Sequence, residues 1–340
     1  MTKWDKDYLE LCKKILTQGV EVENRTGINT IKVSSHHFHF DLSKEFPILQ
    51  TKQLFFKNAI TEILWIYQAQ SNDVRWLHER NNHVWDEWMV DPDGIYRTYQ
   101  NGNGEKILTS EKEFGKEFAY TIGTAYGWIV DRYKLTDNLL NALKNNPTDR
   151  RLIMSLWQNE WLNTAVLPSC VWSSEWDVTN GKLNAWVHQR SCDVPLGLPF
   201  NVTQYATLLT LLAKSTGLEP GTLDWSIKDA HIYVNQVDGI KEQIYNGEIL
   251  ERISNLPKNR LIALKQEYEY YEKIDKDYKL NYDSKKTYDA FSIVTSEEKP
   301  YLWVNPEIKD FYEYDNSREL KDIKVKKYKH MGKIKFPIAQ

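Results

Sequence analysis

The chain has 340 residues, 41% of them hydrophobic and 27% charged, which is enough to form a sizeable core in one large domain or two small ones. A formal net charge of −3 excludes a global basic field that would recruit DNA or RNA. The sequence predicts no transmembrane helix and no secretory signal, because it lacks a long apolar run and is charged near its start. Three cysteines, an odd number, argue against a disulfide framework, so we expect a reduced, cytoplasmic protein.

The first quarter of the chain predicts a helix, a strand and a second helix. Apolar residues recur at helical spacing over residues 5–18 and 55–70, while residues 31–40 alternate as in a strand. Arg25 lies in the turn before that strand, where it is either a surface residue or a guanidinium that holds a phosphate. Glu62 lies beside the apolar face of the second helix. It is either a solvated glutamate or a carboxyl in an apolar cleft that suits acid–base chemistry.

The next segment combines aromatic residues, glycines and charges. Residues 85–88 are Trp-Asp-Glu-Trp, and residues 89–121, rich in Gly, Asp, Lys and Glu, predict a surface insertion. Glycines near Tyr126 on both sides allow its hydroxyl to approach a ligand. After the next predicted helix, the adjacent Arg150 and Arg151 precede an apolar strand. They are either surface charges or a clamp for an anion, including one across a subunit boundary.

Residues 167–233 concentrate reactive side chains. Cys170 follows a Pro-Ser pair and precedes strands predicted at 171–178 and 182–189, which a Thr-Asn-Gly turn separates. A strongly apolar helix is predicted at 202–216. The stretch also contains a cation, a hydroxyl, a carboxylate, an amide, an imidazole and a phenol, each of which a nucleotide could use: Arg190, Ser191, Asp193, Asn201, His231 and Tyr233.

The rest of the chain predicts no further domain. Residues 245–300, dominated by Lys, Glu, Asp and Tyr, predict a hydrophilic excursion, and the small and apolar end of the chain predicts a docked tail. We expect a single domain over residues 1–340 with insertions near 89–121 and 245–300. The central cysteines and histidines lack zinc-site spacing, and no glycine-rich phosphate loop is present. A phosphate must therefore be bound by arginine side chains, and no metal is expected.

Three motifs resemble signatures of the folate-dependent thymidylate synthase family: Gln-Arg-Ser-Cys-Asp at 189–193, Gly-Leu-Pro-Phe-Asn-Val at 197–202 and Asp-Ala-His-Ile-Tyr at 229–233. The resemblance covers most of the chain in order, because it extends to residues 25–27, 62–65, 85–88, 149–151, Cys170 and 337–339. Several motifs in a consistent order are more specific than any one of them. The resemblance implies an α+β fold with a mixed twisted sheet, flanking helices and two sheets stacked at a homodimer interface.

The family resemblance also implies a mechanism on deoxyuridine monophosphate (dUMP). Cys170 is the nucleophile that adds to ring carbon 6, and because a free thiol has a pKa of about 8.5, the cation Arg190 would help it ionise. Asn201 and a water network around Glu62 would stabilise the charge that develops on the ring. Tyr126 matches the tyrosine implicated in removing the carbon 5 proton. The donor and acceptor of the Asn201 amide match uracil, without forbidding cytosine.

The same resemblance implies how the substrates are held. Five side chains bind the nucleotide phosphate: Arg25, Arg190 and Ser191 of one subunit, with Arg150 and Arg151 donated by the other. Two side chains contact the sugar hydroxyl: His231 and Tyr233. The co-substrate 5,10-methylenetetrahydrofolate supplies both the carbon and the reducing equivalents, and it contacts Trp85, Trp88, Ala339 and the catalytic Asp193. No metal, nicotinamide or nucleic acid is required.

Three positions depart from the family pattern. Val171 follows the cysteine where histidine is common, Ile129 lies in a segment without the usual glutamine and arginine, and Gln340 replaces an apolar last residue. The last two changes concern the folate side and leave open a dUMP hydroxymethylase, which adds water instead of hydride. A binding protein without chemistry is disfavoured by the retained thiol, glutamate and tyrosine. A plain α+β domain leaves the ordered motifs unexplained.

Overall fold

A seven-stranded sheet is the centre of the computed structural model, which describes residues 1–102, 105–274 and 282–338. The strands in the described part are β1 (Val20–Val22), β2 (Thr30–Asp41), β3 (Ile95–Gly102), β4 (Glu105–Glu113), β5 (Ile153–Ser155), β6 (Val171–Thr179), β7 (Lys182–Gln189), β8 (Cys192–Asp193), β9 (Glu219–Tyr233), β10 (Tyr301–Val304) and β11 (Ile323–Lys326). The large sheet has the order β1-β2-β9-β7-β6-β5, and β8 pairs with β9. Two small sheets are formed by β3 with β4 and by β10 with β11.

The sheet is mixed, and its register places distant motifs side by side. β7 and β8 run parallel to β9, whereas the other neighbours in the large sheet are antiparallel. β6 and β7 form a hairpin through Asn180 and Gly181, with φ of +51° and +73°, as a type I′ turn requires. Because Thr30 pairs with Tyr233, the turn before β2 lies beside the end of β9.

Helices cover one face of the sheet. The helices in the described residues are α1 (Lys3–Gln18), α2 (Phe56–Tyr67), α3 (Val74–His78), α4 (Gly127–Tyr133), α5 (Leu135–Asn145), α6 (Gly197–Ser215), α7 (Val237–Ser254), α8 (Lys258–Ile274) and α9 (Tyr282–Val294), of which α1 and α6 pack directly on the sheet. α6 is buried on nearly every side and packs between α2 and the sheet. Trp225 of β9 points to this helix, with its ring 5.5 Å from that of Tyr205. On the opposite face, Trp172, Trp186 and Ile153 are exposed.

The main predicted elements are confirmed. The helices predicted at 5–18 and 55–70 and the strands predicted at 31–40, 171–178 and 182–189 are α1, α2, β2, β6 and β7. The helix predicted at 202–216 is α6, but it begins five residues earlier, at Gly197. The early start includes Pro199, which the first turn of a helix tolerates because its missing N–H has no intrahelical partner there. The fold is therefore α+β, as expected.

The two hydrophilic regions contain regular structure. Residues 89–121 include the hairpin of β3 and β4, which was not predicted. Residues 245–300 contain the end of α7 together with α8 and α9, although residues 275–281 lie outside the described part. Helices α7 and α9 share a small apolar cluster: Ile249, Leu250, Ile253, Ala290, Phe291, Ile293 and Met331. Apolar residues at helical spacing are diluted by polar ones, which explains why this cluster is hard to see in the sequence.

The end of the chain docks on the body, as predicted, up to residue 338. Gln236 Nε2 donates to the Pro337 carbonyl at 3.0 Å, and Lys52 Nζ lies 4.6 Å from the centre of the Phe336 ring. Ala339 and Gln340 lie outside the described residues. In the part of the chain that the structure describes, no helix combines the length and apolar character that crossing a membrane requires.

Candidate active site

A cavity of about 690 Å³ lies where the turn before β2, the end of β9 and the loop before β6 meet. Seven of the predicted site residues line it: Arg25, Trp88, Cys170, Arg190, Ser191, His231 and Tyr233. Two guanidinium groups in one cavity suit an anionic ligand, because each offers a fork of N–H donors. The fold thus gathers in one cavity a thiol, a hydroxyl and cations that are far apart in sequence.

Cys170 is held by Tyr126 and Arg190. Its backbone N–H donates to the Tyr126 hydroxyl at 3.0 Å, and its Sγ lies 4.0 Å from Nη2 of Arg190. Arg190 donates to the carbonyls of Ser169 at 3.0 Å and Pro168 at 2.6 Å, which fixes the guanidinium beside the sulfur. Burial raises the pKa of the Cys170 thiol, while nearby guanidinium groups oppose the shift. The expected help from Arg190 is present, but in a single chain burial outweighs it.

Glu62 lies on the inward face of α2 and is 7% exposed, so it is not a solvated glutamate. Its Oε1 accepts a hydrogen bond of 2.9 Å from the indole N–H of Trp85. Burial raises the pKa of Glu62 to about 7, and the bond from Trp85 opposes the shift. A carboxyl with this pKa can both donate and accept protons near neutral pH.

Tyr126 occupies a constrained position between two loops. Its φ is +47°, and its ring packs edge-on against Trp85 at 5.2 Å between centroids. The next residue must be glycine, because a Cβ on Gly127 would lie 1.9 Å from the carbonyl oxygen of Ser71. Burial also raises the pKa of Tyr126 well above its usual range, so its hydroxyl is neutral at physiological pH. A neutral hydroxyl is a poor base, so direct abstraction of a proton by Tyr126 is disfavoured. The neutral hydroxyl can still donate and accept hydrogen bonds.

Asp193 and Asn201 are absent from the lining of the cavity. Asn201 bonds to two glutamines: its Nδ2 donates to Gln204 at 3.0 Å, and its Oδ1 accepts from Gln189 at 3.3 Å. These bonds use one N–H and one lone pair of the amide, so a second N–H and a second lone pair remain for the base that the sequence predicts it to bind. Asp193 accepts from the Leu196 N–H at 3.0 Å, and burial raises its pKa.

Gln236 links Asp193 to the tail of the chain. Its Nε2 lies 3.2 Å from Oδ2 of Asp193 and also donates to the Pro337 carbonyl. The predicted folate residue Asp193 is therefore linked to the described end of the tail at Pro337, whereas the predicted Ala339 lies outside the described residues. Trp85 is 6% exposed and is not part of the cavity lining, whereas Trp88 is.

Asp229 and Lys32 also line the cavity, although their sequence context predicted no role for either residue. Oδ1 of Asp229 lies 3.0 Å from Nδ1 of His231, and Oδ2 lies 2.7 Å from Nζ of Lys32. The hydrogen bond with His231 is the main reason why the pKa of Asp229 is lowered to about 2. An ionised Asp229 fixes the orientation of the imidazole. The spacing of Asp229 and His231 could have indicated this contact, since residues two apart on a strand share a face.

The hairpin of β3 and β4 supplies two further lining residues, Tyr96 and Thr98. Tyr96 donates to the Glu87 carbonyl at 3.2 Å. Between them, Arg97 points away and pairs with three carboxylates at 2.6–2.8 Å, those of Asp91, Asp93 and Glu111. The segment interpreted as a surface insertion is thus also a wall of the cavity, which the alternation of Tyr96, Arg97 and Thr98 could have indicated.

Arg150 and Arg151 are not brought to this cavity within one chain. Arg150 lines a second cavity of about 740 Å³ on the uncovered face of the sheet, together with Trp186 and Asp224. Arg151 is exposed and pairs with Asp149 at 2.9 Å. If these arginines contact a nucleotide, they do so in a second subunit.

The fold and the cavity define a class of protein: an α+β protein whose cavity brings a free thiol together with guanidinium groups that suit an anionic ligand. Residues 6–290 match the family described as "Thymidylate synthase". The chain belongs to the thymidylate synthase family, whose members are methyltransferases.

Full-length relatives agree with this assignment. A thymidylate synthase of Clostridium beijerinckii is 39% identical over 339 residues, and thymidylate synthase 1 of Bacillus subtilis is 33% identical over 351 residues, with complete coverage of both chains in each case. The solved structure of the thermostable thymidylate synthase A from Bacillus subtilis is 31% identical, covers both chains completely and has a TM-score of 0.72. These similarities favour synthase activity over the hydroxymethylase alternative.

Proposed function

We propose that this protein is a thymidylate synthase that converts dUMP to thymidylate (dTMP), with dihydrofolate as the co-product. The observation that carries the proposal is the Cys170 sulfur 4.0 Å from the Arg190 guanidinium, in a cavity that Arg25, Ser191 and His231 also line. A nucleophile and the cations for a phosphate are therefore within reach of one small ligand. Family membership supplies the reaction that these groups would perform.

The proposed chemistry begins when the Cys170 thiolate forms a bond to carbon 6 of the uracil ring, which makes carbon 5 nucleophilic. Carbon 5 then forms a bond to the methylene carbon of 5,10-methylenetetrahydrofolate and loses its proton, and the bond from that carbon to the folate nitrogen breaks, which leaves an exocyclic methylene group on the ring and free tetrahydrofolate. A hydride from tetrahydrofolate adds to the exocyclic methylene carbon to form the methyl group and dihydrofolate, while the bond between sulfur and carbon 6 breaks and returns the thiolate. Glu62, with a pKa of about 7, would exchange protons with the ring through water. Tyr126 would hold the backbone of Cys170 and orient the acceptor of the carbon 5 proton.

The lining residues divide between the two ends of the nucleotide. Arg25, Arg190 and Ser191 would hold the phosphate by charge-assisted hydrogen bonds. His231, oriented by Asp229, would contact the sugar hydroxyl together with Tyr233. Such contacts discriminate strongly, because an analogue without the hydroxyl leaves buried polar groups unpaired.

The folate is assigned to the region of the two tryptophans and the tail. The Trp88 ring, which lines the cavity, offers an apolar face, and the carboxylate of Asp193 offers an acceptor near the tail. These groups fit a bicyclic ring that carries N–H donors. We assign Trp85 to the same region through its contact with Trp88, whose ring centroid lies 5.7 Å away.

We further propose that the working enzyme is a homodimer in which Arg150 and Arg151 reach the phosphate of the other subunit. The uncovered face of the sheet supports this, since Trp172, Trp186 and Ile153 are exposed there and Arg150 lies at its edge. Because the reaction needs Cys170 as a free thiol, a reducing cytoplasmic location remains part of the proposal.

The test is turnover of dUMP with 5,10-methylenetetrahydrofolate, followed by the absorbance of dihydrofolate and by mass analysis of the nucleotide. We expect dTMP and an absorbance rise, both abolished in Cys170→Ala. Cys12→Ala is the matched control, because Cys12 is a second free and buried thiol that does not line the cavity. A hydroxymethylated nucleotide with tetrahydrofolate would contradict the synthase, and full turnover by Cys170→Ala would contradict the nucleophile.

A further inference from the structure

Two histidines and an aspartate converge on the surface near α3, outside the cavity. Nε2 of His78 lies 2.7 Å from Oδ1 of Asp86, and Nδ1 of His83 lies 3.0 Å from Oδ2 of the same carboxylate. One ligand atom from each of the three residues lies within 4.8 Å of the other two. Within residues 1–102, 105–274 and 282–338, this is the group of His, Cys, Asp or Glu that meets such a criterion.

We propose that His78, His83 and Asp86 bind one transition-metal ion of the Zn²⁺ type. Two imidazole nitrogens and one carboxylate oxygen suit Zn²⁺, whereas Mg²⁺ and Ca²⁺ prefer sites made of oxygen. Bonds of about 2.0–2.1 Å in a tetrahedral site place ligand atoms roughly 3.3 Å apart. The two nitrogens lie 2.7 and 3.0 Å from the two oxygens of Asp86, and one ligand atom from each residue lies within 4.8 Å of the others, so rotations of these side chains would bring both nitrogens and one oxygen to that separation.

The backbone between the two histidines is fixed by a buried residue. Asn82 donates through Nδ2 to the Asn58 carbonyl and to the Thr61 hydroxyl, both at 3.0 Å, and its backbone N–H donates to the Leu77 carbonyl. The rings of His78 and His83 are stacked, with centroids 5.1 Å apart and an interplanar angle of 27°. The ligand atoms are therefore held near one point before any ion arrives, which lowers the entropic cost of binding.

The proposed ion would be accessible from solvent. The side chains of His78, Asp86 and His83 are 33%, 41% and 58% exposed. Three protein ligands with an open fourth position leave room for water, unlike the closed sites that hold structural zinc. The site adjoins the catalytic region, because Trp85, the neighbour of Asp86, donates its indole N–H to Glu62.

The experiment titrates metal-free full-length protein with ZnCl₂ by calorimetry and with Co²⁺ by visible absorption. We expect one ion per chain and the intense Co²⁺ absorption bands of a tetrahedral site. His83→Ala should weaken Zn²⁺ binding by at least the roughly 10–100-fold that loss of an outer-shell partner causes. Asp86→Asn, which preserves the shape of the side chain, should also weaken it and guards against misfolding of the first variant.

His39→Ala is the matched control, because His39 also contacts a carboxylate, that of Asp224 at 2.9 Å, on the uncovered face of the sheet. The Zn²⁺ affinity of the His39→Ala variant should equal that of the unmodified protein. The proposal is overturned if the unmodified protein takes up no Zn²⁺, or if folded His83→Ala and Asp86→Asn bind it unchanged. It is also overturned if alkylation of Cys170 removes the binding, since the ion would then sit on the catalytic thiol.

Discussion

At the scale of single residues, burial sets the protonation of the reactive groups more than neighbouring charge does. Glu62 and Cys170 both have raised pKa values, although Cys170 lies beside a guanidinium. Desolvation acts against the charged form of each group, which favours the protonated carboxyl of Glu62 and the neutral thiol of Cys170. Additional positive charge near Cys170 would favour the thiolate, and the proposed arginines of a second subunit would provide it.

The raised pKa of Glu62 predicts a pH-dependent stability. The unfolded chain loses this proton near pH 4.5 and the folded chain near pH 7, so the contribution of Glu62 to stability falls as pH rises through that window. At pH 8 the cost is about 3 kcal/mol. We therefore expect Glu62→Gln to unfold at a higher temperature than the unmodified protein at pH 8, with a much smaller difference at pH 5.

The same substitution should lower kcat by about 100-fold, because the amide cannot exchange protons. Glu10→Gln is the control, since Glu10 is an exposed acid on α1 and should change neither quantity. Thermal unfolding at the two pH values and steady-state turnover measure both effects. An equal stability difference at pH 5 and pH 8 would show that Glu62 is not the buried acid described here.

At the scale of elements, the hairpin of β3 and β4 and the loop at Gly127 shape the cavity. Arg97 joins the two strands of the hairpin to the loop before it, through carboxylates on Asp91, Asp93 and Glu111. Gly127 allows α4 to begin against the carbonyl of Ser71. The hairpin positions Tyr96 and Thr98 of the cavity wall, and Gly127 positions Tyr126 behind Cys170, so each feature predicts a separable effect.

Arg97→Ala should loosen the hairpin and raise KM for dUMP several-fold while kcat changes less. Surface ion pairs contribute about 1 kcal/mol or less, so the temperature of unfolding should change little. Arg75→Ala is the matched control, because Arg75 makes an exposed pair with Asp73 and does not line the cavity. Steady-state kinetics and limited proteolysis of the hairpin test this. Unchanged KM in Arg97→Ala would mean that the hairpin wall does not contribute to binding.

Gly127→Ala should destabilise the fold far more than Gly181→Ala. A Cβ at Gly127 would overlap the backbone of Ser71, which cannot move aside easily, whereas a Cβ at Gly181 would meet nothing within 4 Å. At Gly181 the cost is the left-handed φ alone, about 1–2 kcal/mol. Urea denaturation of both variants measures the difference. Equal free energies of unfolding would rule out the backbone overlap as the reason for glycine at position 127.

At the scale of the whole molecule, the uncovered face of the sheet is the surface through which a second subunit would complete the Cys170 cavity. Arg150 lines the second cavity on the uncovered side of the sheet, Arg151 is exposed and pairs with Asp149, and neither arginine lines the Cys170 cavity of its own chain. A two-fold dimer through this side would present the same surface twice, since such interfaces are self-complementary. The two cavities would then each contain groups from both chains.

Mixing two inactive variants tests the shared site. Cys170→Ala and the double variant Arg150→Ala, Arg151→Ala should each have little activity alone. Co-refolded together, half of the dimers are hybrids with one intact cavity, so about a quarter of the full activity should return. Two copies of Cys170→Ala refolded together are the control and should stay inactive. No recovery in hybrids that chromatography shows to be dimers would contradict donation of these arginines.

The sequence by itself determined the local elements and the chemical identities of the site. Helical and alternating periodicities predicted α1, α2, β2, β6 and β7, because these patterns follow from side-chain direction alone. The ordered motifs around Cys170, Arg190 and His231 indicated the family, because reactive side chains at fixed spacing are rarely accidental in combination. Neither conclusion required knowledge of which strands are neighbours.

The tertiary structure decided what those residues experience. Pairing of Thr30 with Tyr233 brings the Arg25 turn beside β9, and the hairpin at Tyr96 and Thr98 closes a wall that the sequence placed on the surface. The tertiary structure also buries Glu62, which raises its pKa, and it brings His78, His83 and Asp86 together. Desolvation and convergence depend on contacts between segments distant in sequence, and no local pattern encodes them.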